Sequence, residues 1–316
     1  MGVGLRCDIE ERRTNNLVPL VSDPITGGPL NPGQAGGAIA PQQETFSQFE
    51  PKLTASYKIA DEALVYADWG VGFKSGGFNN QGSAAIVNQN FNNGVTPGTI
   101  NAGVVINDRF RKERSSAFEA GVKGVLFGGR VTYDLAGYYT SIRDMQFFEF
   151  FVGGFGLLRV VSNIDKVDVY GGELNLSARI LDGWTVFGSG NITGSEIKKN
   201  SSRPDTVGNK SPYTADYTLN LGTQVVLPIT ERLKGVMRFD YRLTGPTWFH
   251  TVQNQTKPTL FSGLLPLSDF SFLPPSVGDA DYSVSQRKAY GIVNLRVGLE
   301  GSNWTLTAFA NNLTDK

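Results

Sequence analysis

The chain has 316 residues, and 29 basic side chains balance 29 acidic ones, giving a formal net charge of zero with a single histidine. A balanced chain has no broad electrostatic pull on a polyanion, which excludes nucleic acid as a partner. One cysteine, Cys7, excludes an internal disulfide, and no run approaches the ~18 apolar residues of a membrane-spanning helix.

In chain order, the dominant signal is alternation with period two, which a strand sorts onto two faces and a helix does not. A first strand runs through Gly2–Arg12. In "KLTASYKI", Leu53, Ala55, Tyr57 and Ile59 share one face and Lys52, Thr54, Ser56 and Lys58 the other. In "VYADWGVGFKSGGFNN", Val65, Ala67, Trp69, Val71 and Phe73 form one face and Asp68, Gly70 and Gly72 the other. This glycine-rich stretch misses the dinucleotide-binding spacing by one residue, and no helical pattern is expected after it, so it reads as the exit of a strand. Further strands follow in "FEAGVKGVLF", "RVTYDLAGYY", "YTLNLGTQVVL", "KGVMRFDYRL", "AYGIVNLRVGLE" and "WTLTAFANN". The count is about eleven, most of them about ten residues or longer, against about five or six for an ordinary strand. About nine to eleven tilted residues cross a bilayer.

The connections alternate in length. Short ones are expected at Ala60–Asp61, Gly128–Gly129, Asp182–Gly183, Pro228–Thr230 and Gly301–Asn303. Long ones rich in Gly, Asn, Pro and Ser are expected at Thr14–Thr45, Lys74–Arg111, Val152–Lys166, Glu196–Tyr213 and Gly245–Arg287. Tight periplasmic turns and long extracellular loops are the habit of outer-membrane barrels, and a soluble sandwich has no reason to keep every second loop long. Trp184 and Trp304 follow short turns on the apolar face, where an interfacial belt lies; taken alone, they read equally as core residues of a sandwich. The opposite faces carry Lys52, Lys58, Glu119, Lys123, Arg238, Asp240, Arg242, Arg296 and Glu300. Burying so many charges dry costs several kcal/mol each, so these residues predict a wet, wide lumen.

Parity bears on completeness. Eleven passes place the two ends on opposite sides and leave two open edges, whereas bacterial barrels close with an even strand number. "MGVGLRCDIE" also lacks the apolar core of a secretory signal. The expectation is a segment of a larger barrel or a truncated reading frame.

At this point the residues carry a family likeness. "GVGLRCDIEERR", "FEPKLTASYKIADEALVYADWGVGFKSGGFN", "RSSAFEAGVKGVLFGGRVTYDLAGYYTSIRDMQ", "VYGGELNLSARILDGWTVFGSGNIT" and the final "WTLTAFANNLTDK" occur in family order. Together they resemble the C-terminal half of the barrel of a TonB-dependent outer-membrane receptor. The resemblance implies an all-β, antiparallel transmembrane barrel segment, residues 1–316, forming half of a 22-stranded barrel in the bacterial outer membrane and facing outer-membrane lipid. It also implies receptor-mediated uptake of a scarce nutrient, a ferric siderophore before cobalamin or sugars, energised by TonB through an N-terminal part. The plug domain of such receptors, the segment that engages TonB and the last strand with its terminal aromatic residue are absent from this sequence. Cys7 stands where the family usually has an aromatic residue.

Ligand contacts would come from the long loops. Lys74, Phe78 and Asn79 in the second, and Tyr213, Trp248, Phe249, His250 and Tyr282 further on, combine aromatic, amide and basic groups suited to a large polar ligand. The plainer reading has these residues packing the loops together or forming an upper aromatic girdle. No enzymatic chemistry is expected. His250 is the only histidine, no G-x-S-x-G elbow occurs, and a membrane-barrel hydrolase would need a serine within hydrogen-bond reach of it. One His and one Cys do not make a zinc site, Asp279 and Asp281 lack calcium-loop spacing, and no cofactor is expected. The competing readings are a passive porin-like or structural barrel and a soluble all-β binding module.

Overall fold

The computed structural model describes residues 1–17, 21–22, 24–25, 39–91, 105–153, 156–253, 256–260, 265–266 and 279–315. Alternating residues with few helix formers build a single antiparallel sheet of eleven strands. They are β1 (Gly2–Thr14), β2 (Gln42–Ala60), β3 (Ala63–Lys74), β4 (Glu113–Leu126), β5 (Val131–Gly153), β6 (Gly156–Leu181), β7 (Trp184–Lys199), β8 (Tyr217–Thr230), β9 (Leu233–Thr244), β10 (Tyr290–Glu300) and β11 (Thr305–Ala310). Each strand pairs with its neighbours in sequence, and the order runs from β1 to β11 without β1 meeting β11, so the barrel is open. Such a ladder satisfies backbone groups internally, which lipid cannot do.

The register sets the two faces. On one, Leu53, Trp69, Phe118, Tyr139 and Tyr170 stand directly opposite one another across five strands. The rings of Trp69 and Phe118 are 6.1 Å apart, and the indole N–H of Trp69 donates to Ser116 Oγ at 3.0 Å. This is the apolar face, and its aliphatic and aromatic side chains are widely exposed: Tyr57 71%, Phe118 51% and Ile192 72%. On the other face, Tyr66 donates to Glu119 at 3.0 Å with Lys123 5.3 Å from its ring. There too, Arg238 makes two 2.8 Å bonds to Asp240 while stacking 4.7 Å from Phe187. The predicted division into lipid-facing and lumenal sides holds. Glycines give rings room to lie across neighbouring strands: a Cβ on Gly121 would come within 2.7 Å of the Tyr66 ring, and one on Gly171 within 2.6 Å of the Tyr138 hydroxyl.

From the row of Tyr170 to Leu181, which stands opposite Trp184, β6 runs about 35 Å, or about 27 Å along the normal once tilted ~40°. That matches an apolar band about 25 Å tall. Trp184 and Trp304 sit beside short turns, 38% and 53% exposed, as the belt reading requires.

Four expectations change. The long loop at Val152–Lys166 is instead strand: β5 and β6 stay paired through Val152 opposite Leu157 and Gly153 opposite Gly156. A largely apolar run, interrupted by Glu149, supplies a ladder even where its pattern no longer alternates. A helix, α1 (Ser83–Phe91), follows the glycine-rich exit of β3, where none was expected. Its amide at Ala84 donates to the carboxylate of Asp108 at 3.0 Å, so the first turn is closed by an acid and not left open for phosphate. The turn placed at Pro228–Thr230 falls at Glu231–Arg232. The last strand, expected through "WTLTAFANN" (Trp304 to Asn312), spans only Thr305–Ala310, and the chain then turns with Asn312 at φ 53°.

The buried core does not lie in the sheet's middle. Apart from Ala136, the buried apolar residues among those described, including Phe46, Ile86, Val87, Phe147, Leu158, Ile164, Ile197, Trp248 and Val252, gather at the long-loop end.

Candidate ligand-binding surface at the long-loop end

Beyond the lipid-facing band, β5 and β6 continue upward and the long loops fold against them. Phe147 packs with Ile164, Val167 and Ile197. The segment after β7 closes over this cluster. There Arg203, only 3% exposed, pairs with Glu149 at 3.4 Å and with Asp205 at 3.3 Å. Burial pushes the Glu149 carboxyl above its ordinary range, against the pull of Arg203. Two buried charges hold together only as a pair.

A strap of backbone bonds then joins three loops. Tyr213 N–H donates to Trp248 O at 2.7 Å, Phe249 N–H to Ser285 O at 2.9 Å, and Thr247–Trp248 pairs with Gln286–Arg287. Tyr213 adopts φ 61°, a left-handed conformation that costs a non-glycine residue about 1 kcal/mol or more. Its ring, 52% exposed, lies 6.1 Å from both Phe147 and Phe148 and 5.6 Å from Phe249. Arg159 stacks 5.0 Å from Phe148, and Arg287 lies 5.5 Å from Phe249 and 4.6 Å from Tyr290. Below Tyr213 opens a recess of about 490 Å³ lined by Glu173, Asn175, Asn191, Thr193 and Thr218 of the lumenal wall. The arrangement is an aromatic shelf with two guanidinium groups over a polar wall, able to take a large ligand carrying aromatic and anionic groups.

The predicted residues fall into two sets. Tyr213 and Phe249 belong to this shelf. Trp248, 4% exposed, lies beneath it and packs the loops together. His250 stacks on Tyr282 with ring centroids 5.3 Å apart, and its Nδ1 accepts from Val252 N–H at 3.0 Å. Burial, reinforced by the Arg203 charge, lowers the His250 pKa to about 4, so it is neutral at physiological pH. Lys74, Phe78 and Asn79 form the second set at the exit of β3. Lys74 stands opposite Glu113, and Phe78 pairs with Arg109. Asn79, 5% exposed, spends its side chain on Asn107 O (2.8 Å), Val161 O (3.0 Å) and Val161 N–H (2.9 Å). It clamps β6 to the loop after β3. Gln146 reaches Ser75 O at 2.7 Å and links the two sets through β5.

The shelf residues that the sequence reading passed over are Phe147, Phe148, Phe150, Arg159 and Arg287. Their signal was the aromatic run in "DMQFFEFFV", which breaks the alternation of a wall strand.

An open antiparallel sheet with a lipid-facing apolar side, a charged lumenal side and a folded loop cap defines a segment of a transmembrane receptor barrel. The chain belongs to the TonB dependent receptor-like, beta-barrel family, whose profile matches residues 3–313. That family consists of outer-membrane receptors and transporters of Gram-negative bacteria and not of enzymes, which places this barrel in the outer membrane. The chain is 29% identical to the pesticin receptor of Yersinia enterocolitica over 217 residues, 67% of this chain and 28% of that receptor. The fold is similar to that of the ferric yersiniabactin uptake receptor of Yersinia pestis (TM-score 0.61, 20% identity, 92% of this chain and 35% of that one). It is equally similar to a siderophore receptor of Acinetobacter baumannii (TM-score 0.61, 15% identity, 99% and 36%). The chain therefore spans about a third or less of the length of these relatives. Membership of this family leaves the soluble-module and passive-porin readings without support.

Proposed function

We propose that the chain contributes the loop-bearing half-wall of a receptor that captures a ferric siderophore and passes it inward, with uptake energised through TonB. The observation that carries this reading is Tyr213, held in a strained backbone conformation and half exposed between Phe148 and Phe249, with Arg159 and Arg287 beside the shelf. Backbone strain kept at an exposed aromatic residue fits a contact surface better than a packing role. Phe249 and Tyr213 are the predicted residues best placed for contact, whereas Trp248 and Asn79 support the surface from below. Lys74 and Phe78 border it from the β3 exit.

The test is growth under iron limitation of a siderophore-uptake-deficient host carrying the complete receptor, across a panel of ferric chelates. At least one chelate is expected to restore growth. Tyr213→Ala combined with Arg287→Gln should raise its half-saturating concentration about tenfold at unchanged receptor abundance. Failure of every chelate to support growth beyond the empty vector sinks the reading.

A further inference from the structure

The lumenal side of the wall is unevenly charged, a pattern that ligand capture at the shelf does not use. Every second residue of β7 from Thr185 to Thr193 faces the lumen, and none of them is ionisable; the same holds on β8 from Thr218 to Val226. Each of β1 to β4, and both β9 and β10, puts at least two charged side chains on that face, among them Lys52 and Lys58 on β2 and Arg296 and Glu300 on β10. Register fixes the assignment: Ser189 stands opposite Asn175 and Asn220, and Asn220 stands opposite Arg242. Two adjacent strands thus form an uncharged strip between charged flanks.

The strip is hollow along its length. The recess of about 490 Å³ below Tyr213 is lined by Asn191, Thr193 and Thr218, and a second hollow of about 550 Å³ is lined by Ser177, Phe187 and Asn220 nearer the short turns. Asn175 and Ser189 line both, so the two are continuous. The charged groups that border them, Glu173 above and Lys123 and Asp134 below, all lie on the β4–β6 margin. From Thr193 to Thr185 the strip runs about 27 Å along the strand, or about 21 Å along the normal after tilt. Its groups satisfy one another with neutral bonds: the Tyr138 hydroxyl lies 2.8 Å from that of Thr193, and the Asn220 amide donates to Ser189 at 3.1 Å. Such bonds contribute little net and exchange readily for others.

We propose, resting on the uptake reading above, that a ferric chelate released from the shelf descends along the lumenal face of β7 and β8. A ligand that moves needs contacts favourable enough to enter and weak and repeated enough to leave. Hydroxyl and amide groups spaced down two strands supply that. A charged wall does not, because a charge-assisted bond is roughly twice as strong as a neutral one and holds a charged chelate at one place. Continuity supports the same occupant: Tyr213 belongs to the shelf and also lines the upper hollow, so a ligand leaving the shelf meets the strip first. The charged strands on either side suit ion pairs with a protein segment that fills the lumen.

The experiment uses the complete receptor in a siderophore-uptake-deficient host, with radioactive iron supplied on the chelate that best restores growth. Ser189→Trp fills the strip. Ser56→Trp puts the same bulk on the charged lumenal face of β2, where Ser56 stands opposite Tyr66. Ser189→Trp should cut the maximal uptake rate at least about tenfold while surface binding to de-energised cells stays within about twofold of the parent. Ser56→Trp should leave both unchanged. Parent-like uptake in Ser189→Trp overturns the proposal, as does an equal loss in Ser56→Trp. Surface binding that weakens in proportion to uptake in Ser189→Trp makes Ser189 part of the capture site and overturns it too. New sensitivity of the Ser189→Trp cells to a glycopeptide antibiotic, with uptake retained, marks the strip as the seat of the lumen-filling segment instead. If Ser189→Trp does not reach the outer membrane, Ser189→Ala/Asn220→Leu strips the hydrogen-bonding groups without adding bulk and should slow uptake about threefold; a parent-like rate overturns the proposal equally. Absence of any chelate binding by the parent sinks the uptake reading, and this proposal with it.

Discussion

The wall and the cap of this molecule solve folding in different ways. In the wall, ladder hydrogen bonds fix the strands, while most side chains remain exposed within the chain itself. Leu174 is 39% exposed and Leu221 46%, and they find their cover in lipid. In the cap, side chains such as Ile197, Val160 and Val252 are fully buried and charges are paired in the dry. One chain thus holds a sheet built for two solvents and a small globular core built for neither. The consequence is that a substitution should be felt locally in the cap and by face in the wall.

The largest effect is expected at the buried pair. Arg203→Leu strands the Glu149 carboxylate in an apolar site and should cost the cap about 3–5 kcal/mol. Hydrogen exchange should show lost protection around Ile197 and Thr206, with the wall strands unchanged. Loss of protection spreading evenly into β9 and β10 would erase the distinction between the two regions.

Next comes the contrast between the faces of the wall. Leu174→Arg, at mid-height on the lipid side, should destabilise the folded barrel by about 2–4 kcal/mol in a lipid-based unfolding titration. Its neighbour Asn175→Arg, on the lumenal side, should cost little. Equal costs would mean that the two faces have been misassigned.

Asn79→Ala tests whether that residue supports the cap. Three side-chain hydrogen bonds vanish and Val161 loses both partners, a cost of about 1–3 kcal/mol. The expected readout is faster exchange at Val161 N–H with ligand affinity falling only in proportion to folded cap. A large affinity loss at full protection would make Asn79 a contact residue instead.

The smallest effect is a titration. With its pKa lowered to about 4 by burial and by Arg203, His250 is neutral in the folded cap while an unfolded chain would protonate it near 6.5. Its contribution is therefore fully present above about pH 6.5 and is lost as pH falls toward about 4. Glu149, raised by burial, contributes with the opposite sign, so total stability is a poor gauge and the imidazole itself must be followed by NMR. A midpoint near 6.5 would show His250 to be solvated.

How far the sequence could be read follows the same division. Val65, Ala67, Trp69 and Val71 were legible as lipid-facing and Glu119, Lys123, Arg238 and Asp240 as lumenal, because a strand's side-chain period is set by backbone geometry and does not depend on distant contacts. The hairpin through Val152–Lys166 was not legible, since its aromatic run alternates with nothing. Helix α1 was missed because its turn is fixed by Asp108, 25 residues beyond Ser83 in the chain. Tyr213 and Phe249 were chosen as loop aromatics, but nothing in the sequence could tell them from Trp248, which the fold buries.

By itself, then, the sequence determined most of the strands, their two faces and most of the turns and loops between them, and hence the membrane barrel. Those properties are local and periodic. Only the tertiary structure decided which loop aromatic residues meet across 36 positions, as Tyr213 and Phe249 do, and which charges share a burial, as Glu149 and Arg203 do across 54. It also decided that Leu53, Trp69, Phe118, Tyr139 and Tyr170 stand in one row, because register between strands is a property of pairs and no single strand carries it.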